Sequence, residues 1–226
     1  MNQLPFEFAG CQLAALGSGA LWYRDAGLLV VSDLHLGRAE RYARTGRGLL
    51  PPYEIRDTLN RLSADIAATA PAQVLCLGDS FDDDGAALAL DAAIHGEILA
   101  LQAGRGWVWI AGNHDPAPLA LGGSHRQQAQ IAGLTFRHAA RPGATAEVSG
   151  HYHPKATLSR RARGVSRPCF LFDHHRLILP AYGTYTGGLR WTDPALQSLM
   201  GPGATGIITG TRPLAFPMPR LEGAKT

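Results

Sequence analysis

The stretch LLVVSDLHLGR, Leu28 to Arg38, decides the fold. Its first four residues form an unbroken apolar run, the pattern of a strand covered on both faces. The run stops at a carboxylate and an imidazole two positions apart, Asp33 and His35, and then reaches Gly37. Polar groups at the end of a buried strand are costly unless something pairs with them. They are therefore read either as an ordinary turn or as the first half of a metal site, whose remaining ligands must follow other strands. Just upstream, ALWY and LLVV are separated by Arg24–Gly27, turn chemistry that predicts a hairpin entering the core. The earlier segment FEFAGCQLAAL is also β-like.

Downstream, Ile55, Leu59, Leu62 and Ile66 recur at helical spacing and the pattern ends at Pro71, which predicts an amphipathic helix. AQVLCLGDS is then a short strand with a polar end, a second helix is expected from roughly Gly85 to Gln102, and GWVWIAGNHD is a third strand. Alternating strands and helices of this kind predict a sheet with parallel neighbours and covering helices. Past Asp115 the runs shorten and are punctuated by Gly, Pro and Arg. A second, largely antiparallel sheet is expected there, with one short helix near Asp193–Leu199 and a loose tail from about Pro213. No repeat or linker divides the 226 residues, so a single domain is expected.

The composition, 46% hydrophobic and 17% charged, excludes an unstructured chain. The three cysteines, Cys11, Cys76 and Cys169, are far apart and include no CxxC pair, which argues against a disulfide framework and against a thiolate zinc site. FAGC, ending at Cys11, is a poor lipoprotein signal because Glu7 interrupts a very short apolar run without preceding positive charge. Every apolar stretch breaks well before the ~20 residues of a membrane helix. A cytoplasmic protein without a membrane partner is expected.

Each later strand also ends in ligand-type residues. The second ends in Asp79, the third in Asn113, His114 and Asp115, LTFRH in His138, and SGHYH in His151 and His153. Any one of these has an ordinary explanation: Gly-Asp is a routine turn, and His-x-His is often a surface pair. Their order carries the argument, because sites in open α/β sheets gather where parallel strands end at the carboxyl side. In an extended HYH both histidines share a face and Tyr152 points away. His138 is preferred over His125 as a ligand because it closes a strand-like run, whereas GGSHRQQ reads as a loop.

DLH, GDS, GNHD, a solitary His and GHYH resemble the signature of the calcineurin-like metallophosphoesterase superfamily. More narrowly, the short chain, GHYHP and LPAYGTYTGG are similar to the bacterial DNA-ligase-associated metallophosphoesterases. The resemblance implies a four-layer α/β/β/α sandwich, two central mixed sheets flanked by helices. It places Asp33, His35, Asp79 and His153 around one metal and Asp79, Asn113, His138 and His151 around another, with Asp79 bridging. It makes His114 the catalytic imidazole, with Asp115 a candidate to orient it. Mixed oxygen and imidazole ligands suit Mn²⁺, the expected metal, or Fe or Zn²⁺, better than Mg²⁺. Two such ions share and ionise a water for in-line attack on a phosphodiester.

The expected substrate is DNA in repair, with a DNA ligase or helicase as possible partners. Arg38, Arg41, Arg44 and Arg47, at intervals of three, and Arg160, Arg161, Arg163 and Arg167 flank the ligands, and arginine forks suit phosphate oxygens. Tyr182 and Tyr185 are candidates to stack a base. A small-molecule phosphoesterase acting on a nucleotide or cyclic nucleotide is the alternative, and a weakly active scaffold bound to a ligase is a third reading.

Overall fold

The computed structural model describes residues 2–114, 121–160 and 163–220. It opens with four antiparallel strands, β1 (Gln3–Phe8), β2 (Cys11–Leu16), β3 (Leu21–Tyr23) and β4 (Leu28–Val31), the last two joined by the expected Arg24–Gly27 turn. Helices α1 (Arg38–Arg44) and α2 (Glu54–Thr69) lead to β5 (Gln73–Leu77); α3 (Asp84–Leu88) and α4 (Ala92–Gln102) lead to β6 (Gly106–Ile110). Strand β7 (Ser124–Arg126) completes a seven-stranded sheet in which β4, β5, β6 and β7 run parallel.

The second helix read from the sequence is two helices. Asp83 caps α3 through Ala86 N–H, and Asp91 restarts the chain as α4 by accepting from Ile94 N–H. Two capping carboxylates within one apolar pattern make two beginnings.

The second half supplies β8 (Gln128–Ile131), β9 (Leu134–Arg137), β10 (Glu147–Ser149), β11 (Lys155–Arg160), β12 (Arg163–Phe172) and β13 (Arg176–Ile178). Helix α5 (Pro194–Leu199) follows, and β14 (Thr205–Ile208) and β15 (Leu214–Pro217) end the described fold. This sheet is mixed: β10 runs parallel to both β9 and β13, while the remaining pairs are antiparallel. Where a loose tail was expected from about Pro213, residues Leu214–Pro217 form a strand, and residues 221–226 lie outside the described ones. β15 pairs with β14, and Met218 is buried against the core around Trp191. Flanking prolines suit an edge strand, which needs fewer N–H donors than a central one.

Side-chain alternation sorts the layers. Leu29, Val31, Val74, Cys76, Trp107 and Trp109 face Leu59, Leu62 and Ile66 of α2 and Ile94 and Ile98 of α4. The intervening Leu28, Val30, Leu75, Leu77, Val108 and Ile110 pack against Phe136, Val148, Phe170, Leu177 and Ile207 of the other sheet. A third cluster, with Leu171, Ile178 and Trp191, backs that sheet onto Leu196 of α5. The order is helices, sheet, sheet, helix. A strand covered on both faces must be apolar at every position, which is why LLVV lacks polar alternation.

Candidate metal centre

Every predicted ligand follows a strand end. Asp33 and His35 leave β4, Asp79 leaves β5, Asn113 and His114 leave β6, His138 follows β9, and His151 and His153 follow β10. Because β4, β5 and β6 are parallel in one sheet and β9 and β10 are parallel in the other, each set finishes at one edge. Asp33, His35, Asp79, His151 and His153 all have positive φ, between 46° and 70°. For residues with side chains the left-handed region costs about 1–2 kcal/mol, and such strain gathers at functional sites. Backbone bonds hold it: Asp33 N–H to Gly78 O (3.2 Å), His35 N–H to Asp79 O (2.9 Å) and Gly150 N–H to His138 O (2.8 Å).

Two triads result. In Asp33, His35 and His153, and again in Asp79, His138 and His151, the ligand atoms lie within 4.8 Å of one another. Asp79 falls in the second triad. His151 N–H donates to Asp33 Oδ2 (2.9 Å), tying the triads together.

The donor atoms of the first triad face one another without satisfying one another. His153 Nε2 lies 3.0 Å from Asp33 Oδ1, yet both atoms are buried without a hydrogen-bond partner, as is His35 Nε2. In the second triad His138 Nδ1 lies 2.9 Å from Leu77 O, an oxygen that only accepts, so Nδ1 carries a proton. Its Nε2 then meets Asn113 Oδ1 at 2.9 Å, His151 Nδ1 at 3.1 Å and Asp79 Oδ2 at 3.4 Å. Lone pairs converging in this way call for a positive charge among them. Two divalent cations fit, one held by each triad, with Asn113 joining the second.

The electrostatics agree. Burial pulls the His138 pKa down, but Asp79 and Asp33 outweigh it and lift it from 6.5 to about 9. Burial pushes Asp79 up, yet the His138 ring and the His114 N–H beside it hold its carboxyl below the usual range. Asp33 is likewise driven up by burial and held low by His153 and His138. For His151, burial and the neighbouring His138 both act downward. The carboxylates are ionised; without metal the protonated His138 ring faces them, and a divalent cation bound there would take the place of that proton.

A comparison with family models finds that residues 27–185 match the calcineurin-like phosphoesterases. The chain belongs to the calcineurin-like phosphoesterase family. As a member it is a metal-dependent phosphoester hydrolase, and the family is dinuclear. A comparison with curated proteins gave no match. Among solved structures it is similar to the Pseudomonas putida nuclease MPE, with 26% identity, a TM-score of 0.75, and coverage of 94% of this chain and 100% of that one.

Within this phosphoesterase, His114 lies between the triads and helix α3. Its N–H donates to Asp79 Oδ1 (2.9 Å), its Nδ1 lies 3.0 Å from Asp82 O, and its ring meets His35 edge-on at 5.4 Å between centroids. Asp115 lies outside the described residues. His125 belongs to β7 and stacks on Trp109 (6.5 Å), away from either triad.

The arginine and tyrosine expectations fare differently. Arg38 Nε reaches Asp82 Oδ1 (2.9 Å), Arg41 reaches Asp82 Oδ2 (3.1 Å), and Arg44 bonds Glu40 (3.0 Å) and Asp83 (2.6 Å). The helical spacing holds for Arg38, Arg41 and Arg44, which face carboxylates of their own chain that compete for the forks a phosphate would use; Arg47 lies past the end of α1 and is exposed. Tyr182 is 1% exposed, with its hydroxyl on Asp65 Oδ2 (2.9 Å) and Arg61 over its ring (4.8 Å), so it cannot stack a base. Tyr185 is partly exposed and pairs with Tyr53 (5.9 Å), which is 56% exposed. Of the later arginines, Arg161 lies outside the described residues and Arg167 is exposed on β12.

Two residues passed over in the sequence touch the ligands. Ser32 hydroxyl donates to Asp33 Oδ2. Asp82, fully buried, sets Oδ1 2.9 Å from His35 Nδ1, an electrostatic contact rather than a straight hydrogen bond. The only local sign was FDDD, three consecutive carboxylates after the Asp79 strand end, and nothing in that run singles out the one turned inward.

Proposed function

We propose that this phosphoesterase is a di-metal phosphodiesterase that cuts nucleic acid, with Mn²⁺ as its first-choice metal. The observation that carries the reading is the pair of ligand triads joined through His151 N–H and Asp33, with His114 beside them. When bound, the two cations supply Lewis acidity to the phosphoryl oxygens and an ionised water as nucleophile. Asp33, His35 and His153 would hold one; Asp79, Asn113, His138 and His151 would hold the other. His114 directs Nδ1 at Asp82 O, so its Nε2 is the atom free to hold a proton and return it to the leaving alkoxide.

The likeness to the Pseudomonas putida nuclease supports nucleic acid as the substrate. So does the tyrosine rim. Tyr185 sits in a loop tied to the ligands by Gly183 N–H to Asp33 O (3.1 Å) and by Arg38 to Tyr185 O (3.1 Å), so the Tyr53–Tyr185 pair borders the site. Aromatic faces stack bases without regard to sequence. DNA repair, with a ligase or helicase partner, is the setting proposed for this activity.

The commitment of Arg38 and Arg41 to Asp82 favours a second reading, a small phosphodiester such as a cyclic nucleotide, which needs no basic track. A panel of single-stranded DNA, duplex DNA, RNA and nucleotides at two salt concentrations separates the two. Nucleic-acid cleavage that weakens as salt rises supports the nuclease; turnover of nucleotides alone, insensitive to salt, refutes it.

A further inference from the structure

Arg38, Arg41 and Arg44 are taken up by carboxylates of the chain itself, so the positive charge that a nucleic acid needs must lie elsewhere. The stretch from Lys155 to Arg167 carries it. Lys155, Arg160, Arg161, Arg163 and Arg167 fall within it, and no Asp or Glu occurs between Glu147 and Asp173. Of the 21 basic residues 16 lie outside this stretch, as do all 18 acidic ones, so the net charge of +3 comes entirely from these five. The fold sets the stretch apart. Among the described residues β11 pairs with β12 and no other strand, and β12 pairs with β11 alone as far as Pro168; from Cys169 it joins β14 and then β13. The result is a two-stranded ribbon that extends beyond the sheet. Its root is tied to the ligand segment: β11 starts two residues after His153, Lys155 N–H donates to Leu189 O (2.8 Å), Leu189 N–H to Tyr152 O (3.3 Å) and Cys169 N–H to Pro154 O (2.9 Å). Ala156 is fully buried there, whereas Val165, Ser166 and Arg167 are exposed. The register sets Arg167 opposite Ala156 near the root and Arg160 opposite Arg163 at the outer end. Basic positions therefore recur along about 17 Å, at 3.3 Å per residue. Lys155 Nζ donates to the uncharged Thr186 O (3.3 Å), and neither Lys155 nor Arg167 forms an ion pair among the described residues.

We propose that the β11–β12 ribbon is an arm that holds the phosphate backbone of a nucleic-acid strand on one side of the bond to be cut. The proposal rests on the nuclease reading above and gives that reading its electrostatic track. Like charges gathered on one ribbon repel one another. A polyanion laid along them removes that cost and gains further from the counterions its phosphates release. Guanidinium forks match phosphate oxygens, and the chain offers these five no carboxylate of its own along the ribbon. Because the root is hydrogen-bonded to the segment carrying His151 and His153, a strand held on the ribbon is led to the metals. Contacts of this kind position a strand without reading its bases. The arm therefore favours long substrates over short ones, and does so without regard to sequence.

The test uses the full chain with Mn²⁺ and compares it with the triple variant Arg160→Gln, Arg163→Gln, Arg167→Gln. For a single-stranded oligonucleotide, KM is expected to rise by roughly 10- to 100-fold at about 0.1 M salt while kcat is unchanged. The slope of log KM against log salt should fall by about 2, the share of three phosphate contacts on a single strand. An aryl phosphodiester, too short to reach the ribbon, should turn over at the wild-type rate. Lysine at the same three positions should restore most of the salt slope, because the contact reads charge. Arg24→Gln, in the turn at the end of β4 remote from the ligands, should leave every value unchanged. A triple glutamine variant with the wild-type KM and salt slope overturns the proposal. So does an equal fall in aryl phosphodiester turnover, which would make the ribbon a support of the metal centre. If the wild type binds no oligonucleotide at any salt yet hydrolyses the aryl phosphodiester, the nuclease reading fails and the arm with it, a result separate from any variant.

Discussion

Gly78→Ala tests how tightly the first sheet and the histidine of the second are fitted together. Gly78 has φ +73°, and a Cβ there would lie 2.6 Å from His138 Nδ1, 2.7 Å from His138 Cγ and 2.9 Å from Gly112 Cα. Two costs follow. Alanine in the left-handed region costs about 1–2 kcal/mol. Relieving the overlap pushes the ring off Leu77 O, losing a buried hydrogen bond worth about 1 kcal/mol. The expected loss is about 2–3 kcal/mol, or about 4–12 °C in unfolding midpoint for a chain of this size. Because the displaced ring is a ligand of the second triad, one metal site should weaken as well. Thermal unfolding without metal reads the first effect, and Mn²⁺ titration reads the second. A variant that unfolds at the wild-type temperature and binds two ions normally refutes the placement of His138 against Gly78.

The remaining predictions concern single groups. Asp79→Ala is expected to abolish hydrolysis of an aryl phosphodiester while the protein stays folded by circular dichroism; unchanged turnover removes Asp79 from the site. His114→Ala should retain both ions yet lose roughly 10²- to 10⁴-fold in rate if it protonates the leaving group, and loss of a metal would instead make it a ligand. Tyr182 is raised well above 10 by burial and then by Asp65, so its folded pKa exceeds its unfolded one. Its contribution to stability is complete below pH 10 and is lost as pH climbs through the folded value. Chemical denaturation across that range should show the decline in the wild type and a smaller one in Tyr182→Phe. Tyr53→Ala should raise KM for an oligonucleotide and leave an aryl phosphodiester unaffected, whereas equal changes for both would make the tyrosine pair structural.

Much of the first sheet was legible because its signals are local. A fully covered strand must be apolar throughout, so LLVV, VLCL and WVWI stand out, and each ends where the ligand residues begin. Helix α2 was equally plain from its spacing and Pro71. The α3–α4 break was written in Asp91, but a capping carboxylate and an exposed helical one look alike until the N–H it meets is known.

What the sequence by itself determined, then, was the set of carboxylates and imidazoles at strand ends and the alternation that stacks two sheets. Tertiary structure alone decided which side chains meet. It brought His138 to Asp79 while setting His125 on Trp109, turned Arg38 and Arg41 inward to Asp82, buried Tyr182 on Asp65, and paired β15 with β14. The physical reason is range. Periodicity and caps arise from neighbours a few residues apart, whereas a salt bridge, a stacked ring or an edge strand depends on a partner tens of residues away, whose approach only the packed layers fix.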